Sequence, residues 1–506
     1  MVKYLLAHDL GTSGNKATLF DTDGRLVKSV VHAYGTHYFN ANWAEQNPRD
    51  WWRAVCESTR GILDGIEPER VVCVCFSGQM MGCVCVDEQG EALRDAIIWA
   101  DQRAQAEAGE IARHISPERF YRISGHRNSA SYGLQKLMWV KNHEPEIYAR
   151  TYKILNAKDY IVGRLTGKIL SEYTDATGTT ALDINTLEWS KEIVDASGID
   201  GAKLPQLEAS TFSPGGVTAA AAKLTGLKEG TPVVMGGGDG PCAALGAGVI
   251  SEGRCYSYVG SSAWISMGTR APVFDDDMRT FNWVHSVPGI IMPCGTMQSA
   301  GGSYSWLKRE ICRIEAQTAQ QTGEDIYEII NREIEASAPG ANGILFLPYL
   351  LGERSPRWNP DAQGAFVGLK MESRREDMLR AVMEGVTYNM RIILDIFRQH
   401  MDLGDIVVIG GGAKGATWRQ MMADIYEARI MKPVMLEEAT SMGAAVTGGV
   451  GVGVFSGFDA IERFIRIDQV HEPNPDTQAA YRRTLGLFDE CYRTLEPFYR
   501  RLKSDS

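Results

Sequence analysis

The sequence predicts an α/β protein of two domains, and three observations predict it. Its 506 residues exceed what one core usually organises, so two domains of roughly 200–250 residues are the natural division. Short apolar runs of strand length alternate with helical stretches and end in polar or glycine-rich segments, where α/β sheets place their ligand loops. A strand–turn–strand pattern with a Gly/Thr/Ser turn opens the chain and returns past its midpoint, which suggests two related domains facing each other. The division is placed at 1–248 and 249–506.

Composition narrows the function. The chain is 44% hydrophobic and 23% charged, with a net charge of −11. That balance lacks the basic face a nucleic-acid partner requires, but it permits phosphate, which backbone N–H groups can hold. The N-terminal Met1-Val2-Lys3-Tyr4-Leu5-Leu6-Ala7-His8-Asp9 has too little apolar content for a signal peptide. No run approaches the roughly 20 apolar residues of a membrane span, so a cytoplasmic enzyme with no membrane partner is expected. The ten cysteines are expected as free thiols. Cys73, Cys75, Cys83 and Cys85 form two Cys-x-Cys pairs, too tight for the usual zinc spacing. Alternate residues of a strand share a face, so these pairs read as buried thiols.

In the first half, Tyr4 to Ala7 and Ala17 to Asp21 read as strands around the polar turn Asp9-Leu10-Gly11-Thr12-Ser13-Gly14-Asn15-Lys16. The turn's amides and the Thr12 and Ser13 hydroxyls suit a phosphate, and Asp9 suits a magnesium ion; an ordinary hairpin is the plainer alternative. A helix from Trp51 to about Leu63 and a strand from Val71 to Phe76 follow, the strand ending in Ser77-Gly78-Gln79-Met80-Met81-Gly82. Ile97-Ile98-Trp99-Ala100-Asp101-Gln102-Arg103 repeats that design. An indole beside an acid and a base suits a polyhydroxylated ligand, or equally an ion pair next to a core Trp. Lys136 to His143 reads as an amphipathic helix, Asn156 to Gly167 as another, and Ser171 to Gly178 as a pocket-shaping polar loop.

The chain is organised around Gly236-Gly237-Gly238-Asp239-Gly240, between the strand-like Pro232-Val233-Val234-Met235 and the small-residue segment Ala243 to Gly248. Glycines leave the approach to Asp239 open, so the carboxylate is placed to accept a proton; a helix-capping Asp is the alternative. Beyond it, Arg254 to Val259, Gly260-Ser261-Ser262 and Ala263 to Met267 repeat the opening hairpin. Ser299 to Ser303 leads into a helix from Tyr304 to about Glu315 whose first amides suit an anion. Gly410-x-Gly412-x-x-Gly415 has the letters of a dinucleotide fingerprint, yet it stands late in the chain. A flat glycine surface for adenine or ribose is the plainer use, and an NAD-dependent dehydrogenase is the rival.

Gly364-Ala365-Phe366-Val367-Gly368-Leu369 followed after seven residues by Asp377 to Glu384, together with Lys136-Leu137-x-Trp139-Val140-x-Asn142-His143, resembles the two signatures of the FGGY carbohydrate kinases. The one departure, Gly133, stands where Pro, Ser or Thr is usual. The resemblance implies two RNase-H-like domains of the actin/hexokinase ATPase type with an interdomain cleft, sugar mainly on the first and ATP with Mg2+ on the second. It implies Asp239 as catalytic base and Asp9 as the magnesium-organising acid. Thr12, Ser13, Lys16, Gly260, Ser261 and Gly301 become phosphate contacts, and Gly411 and Gly412 the nucleotide platform. Gln79, Met80, Met81, Trp99, Asp101 and Arg103 become sugar contacts. Trp43-Ala44-Glu45-Gln46, Ser77-Gly78-Gln79-Met80 and Gly352-Glu353-Arg354 are most similar to the xylulokinase branch, which implies D-xylulose as substrate. Met81 and Gly240 stand where that branch usually carries His and Asn, so a sugar-acid, pentulose or polyol kinase stays open, as does a sugar sensor without turnover. Arg103, Arg127 and Arg357 are the cations considered for a substrate carboxylate. A sugar and ATP are the expected partners, with a homodimer left open.

Overall fold

The structure, a computed structural model, describes residues 2–504. Two β-sheets dominate it, and their topologies match. The first has six strands: Gly215–Gly216, Pro232–Gly238, Val71–Gly78, Tyr4–Leu10, Gly14–Asp21 and Leu26–Ala33, in spatial order. Its last three form an antiparallel meander, while Tyr4–Leu10, Val71–Gly78 and Pro232–Gly238 run parallel. The second sheet runs Phe281–Val284, Ile291–Met297, Ala263–Met267, Cys255–Val259, Ile406–Ile409, Ile430–Pro433 and Ile467–His471. Here Cys255–Val259, Ala263–Met267 and Ile291–Met297 form the meander, and Ile406–Ile409 and Ile430–Pro433 add in parallel to Cys255–Val259. The repeated hairpin in the sequence is therefore the visible part of a repeated sheet.

The parallel strands are buried on both faces, so they read as unbroken apolar runs. Leu5, Leu6, Ala7, Cys73, Cys75, Val233 and Val234 are almost wholly buried. The helix Pro48–Leu63 covers one face of the first sheet; it starts three residues before the expected Trp51, because Asn47 caps it and Pro48 occupies the first turn.

Two helices join the sheets. Asp239–Gly246 leaves the first sheet, and Ala439–Gly451 comes from the second half of the chain to pack beneath strands of the first. They cross backbone to backbone: a Cβ on Gly246 would stand 1.8 Å from the Ala439 carbonyl oxygen, and one on Gly443 2.0 Å from that of Cys242. The small-residue run after Asp239 thus serves the close crossing its composition predicted. One apolar cluster runs from Leu5, Cys75 and Val234 through Ala244 and Ala445 to Tyr256, Val407 and Ile409, tying the two lobes at the base of the cleft.

Three expected elements are corrected. The helix Gly133–His143 is buried from Gly133 through Val140, Lys136 included, because it runs through the lobe rather than over it. Ser171 to Gly178 is not a loop: it is the strand Ser171–Glu172 and the helix Tyr173–Thr177, largely buried. The helix expected from Tyr304 starts at Gly301 and ends at Glu310, with a second helix at Arg313–Thr322. Among the described residues, no helix is long and apolar enough to cross a membrane.

Candidate active site

Asp9 lies near the end of the central strand Tyr4–Leu10, and Asp239 opens the helix Asp239–Gly246 at the end of the parallel strand Pro232–Gly238. Both line one cavity of about 370 Å³, with Gly11 on their own lobe and Tyr258, Trp264, Gly411, Glu437 and Thr440 opposite. Ligands of open α/β sheets bind beyond the carboxyl ends of the strands, and both acids stand there. A larger depression of about 540 Å³, walled by Leu350–Gly352 and Pro360–Gly364, offers Asp361 as its one ionisable lining residue. The paired acids place the chemistry in the smaller cavity.

The glycines before Asp239 are there for a reason other than open approach. A Cβ on Gly236, whose φ is +73°, would stand 1.8 Å from the Phe76 carbonyl oxygen; on Gly237 it would meet Ser286 Oγ at 2.7 Å, and on Gly238 Met80 Sδ at 2.4 Å. Gly240 alone has open space around that position. The capping alternative also fails. Gly238 is the cap residue, and Asp239 is the first residue of the helix, its Oδ1 accepting the Gly240 N–H at 2.8 Å.

The Asp239 side chain is exposed to the cleft. Protein around the cleft floor strips water from it, and this, with the nearby charge of Asp9, pushes its pKa up to about 7 against the pull of the Gly240 amide. Water in the open cleft moderates that shift, and a ligand that displaces the water enforces it. Asp9 is also raised, by burial first and by Glu438, with Ser77 and Lys16 opposing. Its Oδ1 is buried with no hydrogen-bond partner among the described residues.

The first turn is pinned by side chains. The Gly11 carbonyl accepts from Tyr34 OH at 2.5 Å, and the Thr12 carbonyl from Gln46 Nε2 at 2.6 Å. Gln79 Nε2 donates to Gln46 Oε1 at 2.7 Å, and Trp99 Nε1 to Thr12 Oγ1 at 2.9 Å. Gln79, Trp99 and Thr12 are thus brought together, while Ser13 is exposed. Lys16, expected at the phosphates, reaches instead across the lobes to Glu438 at 2.5 Å and to the Glu437 carbonyl at 3.1 Å. Asp101 and Arg103, expected at the sugar, are sealed away from the cleft. Both Asp101 oxygens are held by Arg103, and Oδ2 also accepts the Ala44 N–H. The Arg103 guanidinium pairs with Glu45 and stacks 3.9 Å from the Trp43 ring centre. A fully desolvated ion pair under aromatic rings supports a wall, and neither side chain is exposed to a ligand.

The second turn is pinned by backbone. Gly301 N–H donates to the Gly260 carbonyl, and Ala300 and Gly302 N–H both donate to the Ser261 carbonyl, each at 2.9 Å. The helix amides expected to hold an anion are therefore spent on the turn, and it is the Ser261 side chain that is exposed. Gly411 lines the cavity with open space above it. Gly412 does not share that role: a Cβ there would stand 2.4 Å from Val259 Cγ1, so it serves packing against the neighbouring strand.

Profiles of the "FGGY family of carbohydrate kinases" match this chain, the N-terminal domain over residues 4–246 and the C-terminal domain over residues 255–452. The chain belongs to the FGGY carbohydrate kinase family. It is therefore an ATP-dependent sugar phosphotransferase, and the dehydrogenase reading of the late glycines is set aside. It is 32% identical over 507 residues to a xylulose kinase of Bacillus subtilis, covering 99% of each chain. It is 31% identical over 505 residues to a gluconokinase of Bacillus licheniformis, covering 99% of this chain and 97% of that one. A solved, ligand-bound xylulose kinase from Lactobacillus acidophilus superposes with a TM-score of 0.92 at 26% identity, covering 99% of this chain and 100% of that one.

Two residues that sequence reasoning passed over belong to the site's frame. Lys136 is fully buried and donates to the carbonyls of Met81, Ile98 and Ser131, at 2.8, 2.8 and 2.5 Å. It thereby holds Met81 in a left-handed conformation, φ 63°, that a methionine rarely adopts, and anchors the strand end that carries Trp99. Arg354, quoted only as part of a motif, has its Nε buried without a hydrogen-bond partner among the described residues. Of the arginines considered for a carboxylate, Arg103 is held as above and Arg127 donates to the carbonyls of Asp277 and Met278, while Arg357 pairs with Asp489 through Nη1 and keeps a buried Nη2 with no hydrogen-bond partner among the described residues.

Proposed function

We propose that the chain transfers the γ-phosphoryl group of ATP to the 5-hydroxyl of D-xylulose, with Asp239 as general base. The observation that carries this reading is the cavity itself. One wall offers a carboxylate whose pKa is raised toward neutrality, and the opposite wall offers the glycines Gly410 and Gly411 together with the rings of Tyr258 and Trp264 and the side chains of Glu437 and Thr440. A sugar hydroxyl is a weak acid and needs a base as it attacks; a base whose pKa lies near the working pH suits it, and such groups typically contribute about 10²–10⁴-fold. Asp239 takes the hydroxyl proton, the oxygen bonds to the γ-phosphorus, the bond to the bridging oxygen breaks, and ADP leaves. Asp9 fits a magnesium ion, since hard cations take oxygen donors and its orphaned Oδ1 is one. The ion, when bound, neutralises phosphate charge; Asp9 is the residue that would hold it. Thr12, Ser13, Ser261 and Gly411 complete the phosphate and nucleotide contacts in this reading, and Gln79, Met80, Met81 and Trp99 the sugar face. The lobes divide at 248/249.

A sugar-acid substrate is the second reading. The unpartnered Arg354 Nε favours it, as a buried cation seeks an anion, and so does the gluconokinase of Bacillus licheniformis. Coupled ADP release measured on D-xylulose, D-ribulose, D-gluconate and glycerol separates the readings. Turnover of D-xylulose at least tenfold above the others in kcat/KM is the expected result, and a preference for D-gluconate overturns it in favour of the second.

A further inference from the structure

We propose that Thr174 is the positioning residue for Asp239, holding the Gly237–Gly238 peptide, one residue before the base, through one buried hydrogen bond that Glu172 and Lys158 back from behind. The inference rests on the reading of Asp239 as general base and deepens it.

The strand that delivers Asp239 is not held by its ladder alone. Its pairing with Val71–Gly78 breaks between Val234 and Gly237. At the break, the Met235 and Gly236 amides turn away to the carbonyls of Phe212 and Ser210, at 3.0 and 2.9 Å. On its other side, the short strand Gly215–Gly216 pairs only with Val233 and Pro232, so no strand flanks Gly238 there. Gly238 is buried, and its N–H goes to Thr174 Oγ1 at 2.8 Å. Without Thr174 this amide would be a buried orphan, which native chains rarely tolerate.

The direction of the bond is fixed. A backbone N–H can only donate, so Thr174 accepts from Gly238 and must send its own hydrogen elsewhere. It sends it to Glu172 Oε1, at 2.5 Å. Glu172 also accepts from the backbone of Thr174 and Asp175 and from Ser210 Oγ, at 2.8, 2.9 and 2.8 Å. Ser210 thus bonds Glu172 through its hydroxyl and Gly236 through its carbonyl. One carboxylate therefore anchors both ends of the bulge: Gly236 through Ser210 and Gly238 through Thr174.

Behind Glu172 stands Lys158, 3.1 Å away, which also meets Asp159 at 2.7 Å and Asp175 at 3.1 Å; all four side chains are fully buried. Burial favours neutral lysine, yet the acidic groups of Asp159, Asp175 and Glu172 outweigh it and raise the Lys158 pKa, while burial pushes the Asp175 carboxyl well above the ordinary carboxylate range against the pull of Lys158. The mechanism gives this cluster no part in proton transfer. Its geometry ends at the Gly237–Gly238 peptide, one residue before the base, and a displacement of about 1 Å at a reacting group can cost 10²-fold.

Thr174→Val keeps the shape and removes the hydroxyl. With the preferred sugar and ATP, its kcat should fall about 10- to 100-fold while both KM values stay within about twofold. Thr174→Ser should return kcat to within about threefold of the parent. A purely structural threonine would lower the folded fraction and leave the kcat of the folded enzyme unchanged. If the valine variant cannot be recovered folded, Thr174→Cys, of similar size with a poor acceptor, is read the same way. A parental kcat in the valine or cysteine variant, or a serine variant that does not restore it, overturns the proposal. Asp239→Asn is assayed alongside. An inactive Asp239→Asn beside a fully active Thr174→Val sinks the positioning role alone, whereas an active Asp239→Asn sinks the base itself.

Discussion

The two hairpin turns, Gly11–Ser13 and Gly260–Ser262, occupy the same place in the strand order the two sheets share, yet they are held differently: both have backbone bonds, and among the described residues side chains are added only at the first. Side chains of Tyr34 and Gln46 grip the first; amides at the start of the helix Gly301–Glu310 grip the second. The strand ends beside them differ in the same way. The first lobe delivers a carboxylate, Asp239, backed by a buried ionic cluster, and the second delivers bare glycine at Gly410 and Gly411. A side-chain frame supplies polar atoms in fixed directions, which in the proposed reading recognise the sugar and take its proton. A backbone frame leaves glycine surface at Gly410 and Gly411, which in the proposed reading takes the nucleotide.

Substitutions on each side test that contrast. The largest effect is expected from Asp239→Asn, with kcat lowered about 10²–10⁴-fold and ATP binding by calorimetry unchanged. In the parent enzyme, kcat/KM should rise with pH through about 7 and level off above it, since the base must be ionised. Stability moves the other way. The folded pKa lies above the ordinary 3.8, so between about 3.8 and 7 the folded chain retains a proton that the unfolded chain has lost, and this group's contribution falls as pH rises through that window. Asp239→Asn should therefore raise the thermal midpoint at pH 8 and leave it unchanged at pH 3.5; no gain at pH 8 would mean that cleft water cancels the shift.

Next in size is Lys158→Met. It leaves the buried acidic groups of Asp159, Glu172 and Asp175 without their cation, and removal of one partner from a buried ionic group costs about 3–5 kcal/mol. Urea unfolding reads this directly, and a loss below about 1 kcal/mol would mean the cluster is not the support described.

Gly301→Ala probes the backbone-held turn. Its Cβ would stand 2.4 Å from the Gly260 carbonyl oxygen, so backbone must move, at about 1–3 kcal/mol. The KM for ATP should rise with the KM for sugar unchanged; the reverse pattern would exchange the roles of the lobes. The smallest effect is expected at Gly411→Ala, where nothing crowds the new methyl and φ is not left-handed. Stability should stay within about 0.5 kcal/mol while the KM for ATP rises, and an unchanged KM would move the nucleotide off this glycine.

The sequence made legible what depends on pattern. Apolar runs such as Val71 to Phe76 marked the parallel strands, and the two hairpins marked the repeat. The run from Ala243 to Gly248 marked a close helix crossing, and Asp9 and Asp239 stood out as acids among small residues. These are local signals, set by period, by side-chain size and by the conformations glycine permits. Partner choice was not legible. Asp101, Arg103 and Lys16 have the chemistry of ligand contacts, and only the fold shows each paired with another residue. Gly237 and Gly238 looked like clearance for a substrate, and only the fold shows Ser286 and Met80 filling the space. Lys136 and Lys158 looked like ordinary helix lysines until packing buried them against three carbonyls and three carboxylates. An ionisable group's role is set by which groups displace the water around it, and those come from distant parts of the chain that only the tertiary structure brings within a few ångströms.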